Sequence, residues 1–464
     1  MSKGTITARK GAVLPSQERG RIGTGLQLMV WVAVFSAAYL LRDIAGVDFP
    51  EILLTGICGL AFLFLDIGSA MGMYFFTTAL TVPHNEIRIV YIVLTALKLI
   101  RSGGMKLHAG LLCITLGCML VQLVNVALFS TQGLVELIYD YVTRMLVFLL
   151  PVMWYSRNAS PRSYRRALMC YLWGVLLGGT ITLILTIRSY GFMTLLTGTQ
   201  YIRLGKTMAE AAGGMQTTYN ANQLAEMLTV AIAILLTYMD KGYLPRLPSA
   251  AVIVYALMLL LMTRSRTGLL TAIGSFVLYY WVAVIRKGRI RQGLIIFAGM
   301  VAVVVLLVNL IPGIVTAASS RFINQADITN GRSDLLVSYM KEWLGSPWCF
   351  LFGYGIGSYE GMVDPNIAFV PHNCIMDILI CWGLLGLGLV VICVVMMYRR
   401  NRRDVSRQDV VLAYLPAIVA IVFSMASQYT TVGWPHMRLC LLLLSARAFQ
   451  EPAARGRRPA EVAG

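Results

Sequence analysis

Charge is scarce in this chain: 13% of its 464 residues are Asp, Glu, Lys or Arg, where a soluble domain carries about a quarter. That shortage excludes an ordinary water-soluble globule. Acidic residues are the rarer sign, 21 against 39 basic ones. Familiar catalytic signatures are missing as well. There is no DxD pair for a metal-bound sugar nucleotide, no HExxH, no P-loop and no GxSxG, and no metal site is read. The nine cysteines are scattered, mostly in apolar stretches and without a CxxC pair, so no disulfide is assigned. The alternation of a membrane β-barrel is absent too, since the apolar runs are continuous.

What remains is hydrophobic: 58% of residues, with a mean hydropathy of +0.72. Apolar runs near twenty residues recur from Leu26 to Ala446. Hydrocarbon offers backbone groups no partner, so such runs must be helices. The expected fold is an all-α polytopic membrane protein with about 12–14 transmembrane helices, several shorter than the hydrocarbon is thick. Spans are read near 26–41, 51–65, 67–82, 87–100, 109–129, 133–155, 167–187, 220–239, 250–263, 268–285, 293–311, 373–398, 410–427 and 435–449. The first run is followed by no small-residue cleavage site and is expected to stay as a helix. The organisation is a basic tail (1–25), a helical bundle (26–311), a long polar loop (312–371), C-terminal helices (372–449) and a second tail (450–464). A connection of that length without regular structure is rare unless it is functional.

A net charge of +18 could suggest nucleic acid, but its distribution argues otherwise. Basic residues cluster in short links, Lys3 to Arg21, Arg157 to Arg166, Arg286 to Arg291, Arg399 to Arg407 and Arg455 to Arg458. Links of this kind between apolar runs orient a membrane protein with its basic loops inside. No nucleic-acid partner is expected; the partner is the lipid bilayer. With the N-terminus inside, every basic cluster falls on the cytoplasmic side. The long loop, the segment Arg188 to Thr218 and the break at Arg264 to Thr267 then face outward.

Outward segments should be poor in arginine, and the loop obeys: Asp327, Asp334, Glu342, Glu360 and Asp364 outnumber Arg321, Arg332 and Lys341. Against that background Thr263-Arg264-Ser265-Arg266-Thr267-Gly268 stands out, two arginines inside an otherwise apolar stretch. Charge near a membrane is costly and by default functional, although snorkelling at the interface is the plain alternative. Guanidinium forks two hydrogen bonds onto phosphate oxygens, so Arg266, Arg332 and Arg203 could clamp a diphosphate. Asn220 and Asn222 open a helix and could bind sugar hydroxyls, or simply cap it. His372, in Pro371-His372-Asn373, sits where the loop meets the next helix, whose dipole favours a neutral imidazole able to take a proton. Asp334, Glu360 and Asp364 are alternative bases. Val82-Pro83-His84-Asn85 repeats the histidine string without a preceding loop, and His84 is read as structural. The glycines of Gly353-Tyr354-Gly355-Ile356-Gly357 allow a sharp turn or close approach to a ligand; no βαβ context makes them a dinucleotide site.

Taken together, these residues resemble the O-antigen ligase and O-antigen polymerase superfamily of bacterial envelope glycosyltransferases. The resemblance runs from about Asn220 to Gly386. It rests on Asn220 and Asn222, Ser265-Arg266-Thr267-Gly268, Gly331-Arg332, Gly353-Tyr354-Gly355, His372-Asn373 and the Gly383-Leu384-Leu385-Gly386 that follows nine residues later. It implies a multi-pass enzyme of the bacterial cytoplasmic (inner) membrane that transfers a glycan from an undecaprenyl-diphosphate-linked donor, without metal or other cofactor. Catalytic roles would fall to His372, Arg332 and Arg266, and substrate binding to Arg203, Asn220, Asn222, Arg264, Asn373 and Tyr354. The acceptor would be a lipid-core sugar, another glycan or a protein side chain, which separates ligase from polymerase. A lipid-linked glycan flippase is the rival of another class.

Overall fold

The computed structural model describes residues 22–48, 50–80, 84–101, 160–197, 203–205, 221–285, 332–355, 372–402 and 409–427, with isolated positions between 116 and 128, between 288 and 305, and at 405 and 448. Among these there is no strand. The helices are α1 (Ile22–Asp43), α2 (Glu51–Phe64), α3 (Ile67–Thr78), α4 (His84–Arg101), α5 (Pro161–Tyr190), α6 (Phe192–Thr197), α7 (Ala221–Asp240), α8 (Arg246–Thr263), α9 (Arg266–Tyr279, continuing as a π turn to Ile285), α10 (Arg332–Leu344), α11 (Pro347–Phe352), α12 (Cys374–Arg402) and α13 (Val410–Ser427). Their starts carry the expected chemistry. The Asp66 carboxylate and the Ser160, Ser265 and Ser346 hydroxyls accept hydrogen bonds from the first-turn amides of α3, α5, α9 and α11. Pro161 and Pro347 occupy first-turn positions that need no N–H donor.

Six of the described helices are long and apolar enough to cross a bilayer. The chain is an all-α polytopic membrane protein. The expected spans at 133–155 and 435–449 lie outside the described residues apart from Ala448, and 109–129 and 293–311 are described only in part. At the centre stands α7, buried without interruption from Leu224 to Met239, as a helix apolar on all sides must be. It packs against α5, α8, α9 and α13. The outer surface of α1 and α12 exposes Met29, Val30, Val34, Val391 and Ile392, the face suited to lipid.

Contacts between helix ends fix a common register. At a lower pole Arg166 Nη1 donates to Thr24 Oγ1 (3.1 Å), Tyr238 Oη to Arg165 O (3.3 Å), and Lys241 Nζ to Asp409 Oδ2 (2.6 Å). At the upper pole Arg188 donates to Ile44 O, Leu204 N to Met262 O (3.0 Å), and Asn373 Nδ2 to Met425 O (2.9 Å). Thus α1, α5, α8 and α13 rise, while α7, α9 and α12 descend. Tyr398 of α12 meets Tyr414 near the lower end of α13 at 5.4 Å between ring centroids, as that order requires.

Two elements depart from the sequence expectation. With 12 residues, α3 is about 18 Å long, short of the hydrocarbon's roughly 30 Å. Its last turn stops at the middle of α5: a Cβ on Gly174 would lie 2.4 Å from Phe76 O and 2.9 Å from Ala79 Cβ. From there α4 turns back, its Tyr91 stacked on Tyr74 at 4.2 Å. The span expected over 67–82 is therefore half-height, and His84 begins α4 close to that mid-level turn. Secondly, the 312–371 connection is not without regular structure, since it contains α10 and α11. The cause is an apolar spacing, Leu335-Leu336, Tyr339 and Trp343, that buries one face of α10 against α11 and α12.

Candidate functional site

The arginine turn is built by the break between α8 and α9. Arg264 ends α8 in the left-handed region (φ 52), a conformation costing a side-chain-bearing residue roughly 1–2 kcal/mol. Its guanidinium is buried, and Nη2 donates to Leu195 O of α6 at 3.1 Å. Ser265 caps α9 and donates from Oγ to Asn222 Oδ1 at 3.0 Å. This contact requires α9 to start hard against α7, where a Cβ on Gly268 would come within 2.9 Å of Ala225 Cβ. Arg266 is the first residue of α9. Arg203 precedes the Leu204–Met262 hydrogen bond, and its Nε is shielded from solvent. The structure thus brings Arg203, Asn222, Arg264 and Arg266 to one locality.

His372 and Asn373 belong to the same pole. Asn373 caps α12, its Oδ1 accepting from Ile375 N and Met376 N, each at 3.0 Å, while its Nδ2 ties α12 to α13. Both ends of that amide are engaged within the protein. His372 has φ 48 and a solvent-shielded Nδ1. Among the described residues, Arg264 and His372 are the two non-glycines with positive φ. Backbone strain of this kind concentrates at functional sites. One residue on, Cys374 lies within electrostatic reach of Asp377 and of Glu226 in α7, which sets the start of α12 beside α7.

Tyr354 sits elsewhere, in a platform formed by α10, α11 and the first half of α12. It is buried with Tyr339, Trp343 and Trp382, and its hydroxyl donates to Glu342 Oε1 at 3.3 Å. Burial, with Cys349 and Glu342 nearby, holds the phenol well above its ordinary value. The glycines on either side approach backbone. Gly353 (φ 74) crosses α12 at Gly383 (φ 66), where a Cβ on either would lie 2.3–2.5 Å from main-chain atoms of the other segment. Gly386 makes room for Trp382, whose Cβ would be 2.1 Å from its own. Both glycines of the Gly383–Gly386 pair therefore have a packing cause.

Residues 251–391 match the family model described as O-Antigen ligase. The match makes this segment an O-antigen ligase domain and, over less than a third of the chain, supports the O-antigen ligase and polymerase superfamily. No curated protein matches the chain. The domain takes in Arg264, Arg266, Arg332, Tyr354, His372, Asn373 and the Gly383–Gly386 pair, and leaves Arg203, Asn220 and Asn222 outside.

Asn220 lies outside the described residues, as do Glu360 and Asp364; Arg332 begins α10, with its side chain undescribed. Cys349 and Cys374 are free, buried thiols. Among the described residues no group of three His, Cys, Asp or Glu side chains could hold a metal ion. Sequence reasoning missed two carboxylates of this pole, Glu226 and Asp377, which are 5% and 2% exposed. An acidic residue inside an apolar span is itself a signal, and both stand in runs expected to be spans. Asp334, a candidate base by sequence, is exposed on α10.

Proposed function

We propose that the protein transfers a glycan from an undecaprenyl-diphosphate-linked donor to an acceptor hydroxyl on the outer face of the cytoplasmic membrane, as an O-antigen ligase. The observation that carries this reading is the gathering of Arg203, Asn222, Arg264, Arg266 and His372 at one pole of the bundle, around an O-antigen ligase domain. The opposite pole carries Arg162, Arg165, Arg166, Arg246 and Arg399, which supports a cytoplasmic lower side.

In this mechanism the acceptor oxygen forms a bond to the anomeric carbon as the bond from that carbon to the diphosphate oxygen breaks. The electron pair leaves on the diphosphate, and configuration inverts. Arg266 and Arg332 stabilise the negative charge that grows there, the principal demand when the leaving group is already good. The acceptor's proton passes to His372. A positioned base supplies about a hundred- to ten-thousandfold. A polymerase would use the same chemistry with another glycan as acceptor.

The test is reconstitution of the purified protein with lipid-linked oligosaccharide and a core-sugar acceptor. His372→Ala and Arg266→Ala should insert and fold normally yet lose transfer, by about ten- to a thousandfold for the arginine. Full transfer by both variants would overturn the mechanism. Movement of donor lipid across the bilayer without transfer would identify a flippase instead.

A further inference from the structure

The helix named α12 is broken at Gly383 (φ 66, ψ −170). A break in a helix leaves the carbonyls of the turn before it without their usual amide partners, and inside a bundle each must find another. Here the partners can be named. Ile380 O accepts from Tyr354 N at 2.7 Å, and Cys381 O accepts from Gly355 N and from Gln122 Nε2, both at 2.9 Å. On the opposing segment, Phe352 O at the end of α11 accepts from Asn125 Nδ2 at 2.6 Å. Asn125 Oδ1 in turn accepts from Trp348 Nε1 at 3.2 Å.

Gln122 and Asn125 are 1% and 0% exposed. They stand three residues apart in the helical stretch 120–125, hence on one face. One amide grips α12 and the other grips α11, so a single helix face holds both sides of the glycine crossing. Neither residue lies in the O-antigen ligase domain at 251–391. The crossing lies ten residues along α12 from Asn373, about 15 Å. A shift there is carried by a rigid half-helix to His372.

We propose that Gln122 and Asn125 are positioning residues for glycan transfer: they lock the α10–α11 platform onto α12 and thereby fix His372 relative to the arginine turn. The proposal rests on the transfer reading above. A carboxamide suits the role because it can donate to one main chain and accept from the platform's own tryptophan at once. A hydrocarbon side chain of equal size would take this donor from Phe352 O and the second of two donors from Cys381 O.

The experiment uses the full chain in proteoliposomes, with Gln122→Ala, Asn125→Ala and the near-isosteric Asn125→Asp, which keeps the acceptor for Trp348 and loses the donor to Phe352. Two quantities are read: the kinetics of transfer against donor concentration, and hydrogen exchange at the Tyr354 and Gly355 amides. Positioning requires kcat to fall, by up to about a hundredfold for a displacement near 1 Å, with the donor KM within about twofold. It also requires faster exchange at both amides. Folded variants with wild-type kcat, or with a raised KM alone, overturn the proposal. Should the alanine variants misfold, Asn125→Asp decides by the same two readouts. Should the wild type transfer nothing, the transfer reading fails by itself, and unchanged exchange in the variants would separately sink the clamp.

Discussion

Replacing Gly383 with alanine tests how tightly the platform and α12 are interlocked. The added methyl carbon would lie 2.3 Å from Leu351 C and 2.4 Å from Leu351 O and Phe352 N, whereas ordinary carbon contacts begin near 3.5 Å. All three obstacles are main chain, so no rotamer change relieves them. Separation by about 1 Å is required, and an equal stretch would take the 2.7 Å hydrogen bond from Tyr354 N to Ile380 O beyond hydrogen-bonding distance. Alanine must also adopt a conformation suited to glycine, at about 1–3 kcal/mol, and overpacking adds roughly 1–3 kcal/mol. The sum, about 2–6 kcal/mol, is a large share of a typical stability of 5–15 kcal/mol. A methyl carbon added at Gly388, further along the same helix, would meet no atom within 4 Å, so that position serves as the control. Thermal unfolding of the detergent-solubilised protein and hydrogen exchange over 350–355 should show a marked loss for Gly383→Ala and none for Gly388→Ala. Equal behaviour of the two variants would refute the interlocked crossing.

Arg264→Gly should raise thermal stability by up to about 1 kcal/mol through relief of the left-handed backbone, offset by loss of the bond to Leu195 O, while lowering transfer; melting and transfer assays run side by side would reveal whether the two properties separate. Ser265→Ala removes the α9 cap and the bond to Asn222, with an expected cost of about 1 kcal/mol and slower transfer, and a wild-type rate would dissociate this contact from the site. Because burial raises the Tyr354 phenol above its unfolded value, its contribution is complete below about pH 10 and lost as pH rises beyond that. Tyr354→Phe should therefore reduce the loss of stability above pH 10, as read by unfolding at a series of pH values.

Much of the fold was legible because lipid imposes one rule on every apolar run. The expected spans 26–41, 167–187, 220–239, 250–263, 268–285, 373–398 and 410–427 all fall on observed helices. The arginines that punctuate an apolar stretch were legible too, whereas Ser265 and Asn373 show themselves as caps only in the folded chain. What escaped was tertiary. Nothing in the spacing of Gln122 and Asn125 says that they reach main-chain carbonyls more than two hundred residues away. Glu226 and Asp377 were visible as acids in apolar runs, but the approach of Glu226 to Cys374 depends on how α7 and α12 meet. The glycines at 353 and 383 looked like a ligand turn and a spacing motif; their shared cause is a backbone crossing that only the folded chain displays.

The half-height α3 has a bearing on sidedness. Counted as spans, 67–82 and 87–100 would carry the chain across the bilayer and back again. As a shallow hairpin, α3 and α4 climb to the midplane and return, with Lys98 donating to the carbonyls of Phe62 and Leu65. Either itinerary delivers Arg101 to the side from which the excursion set out, so the assignment of every later loop survives an error of two in the tally of crossings.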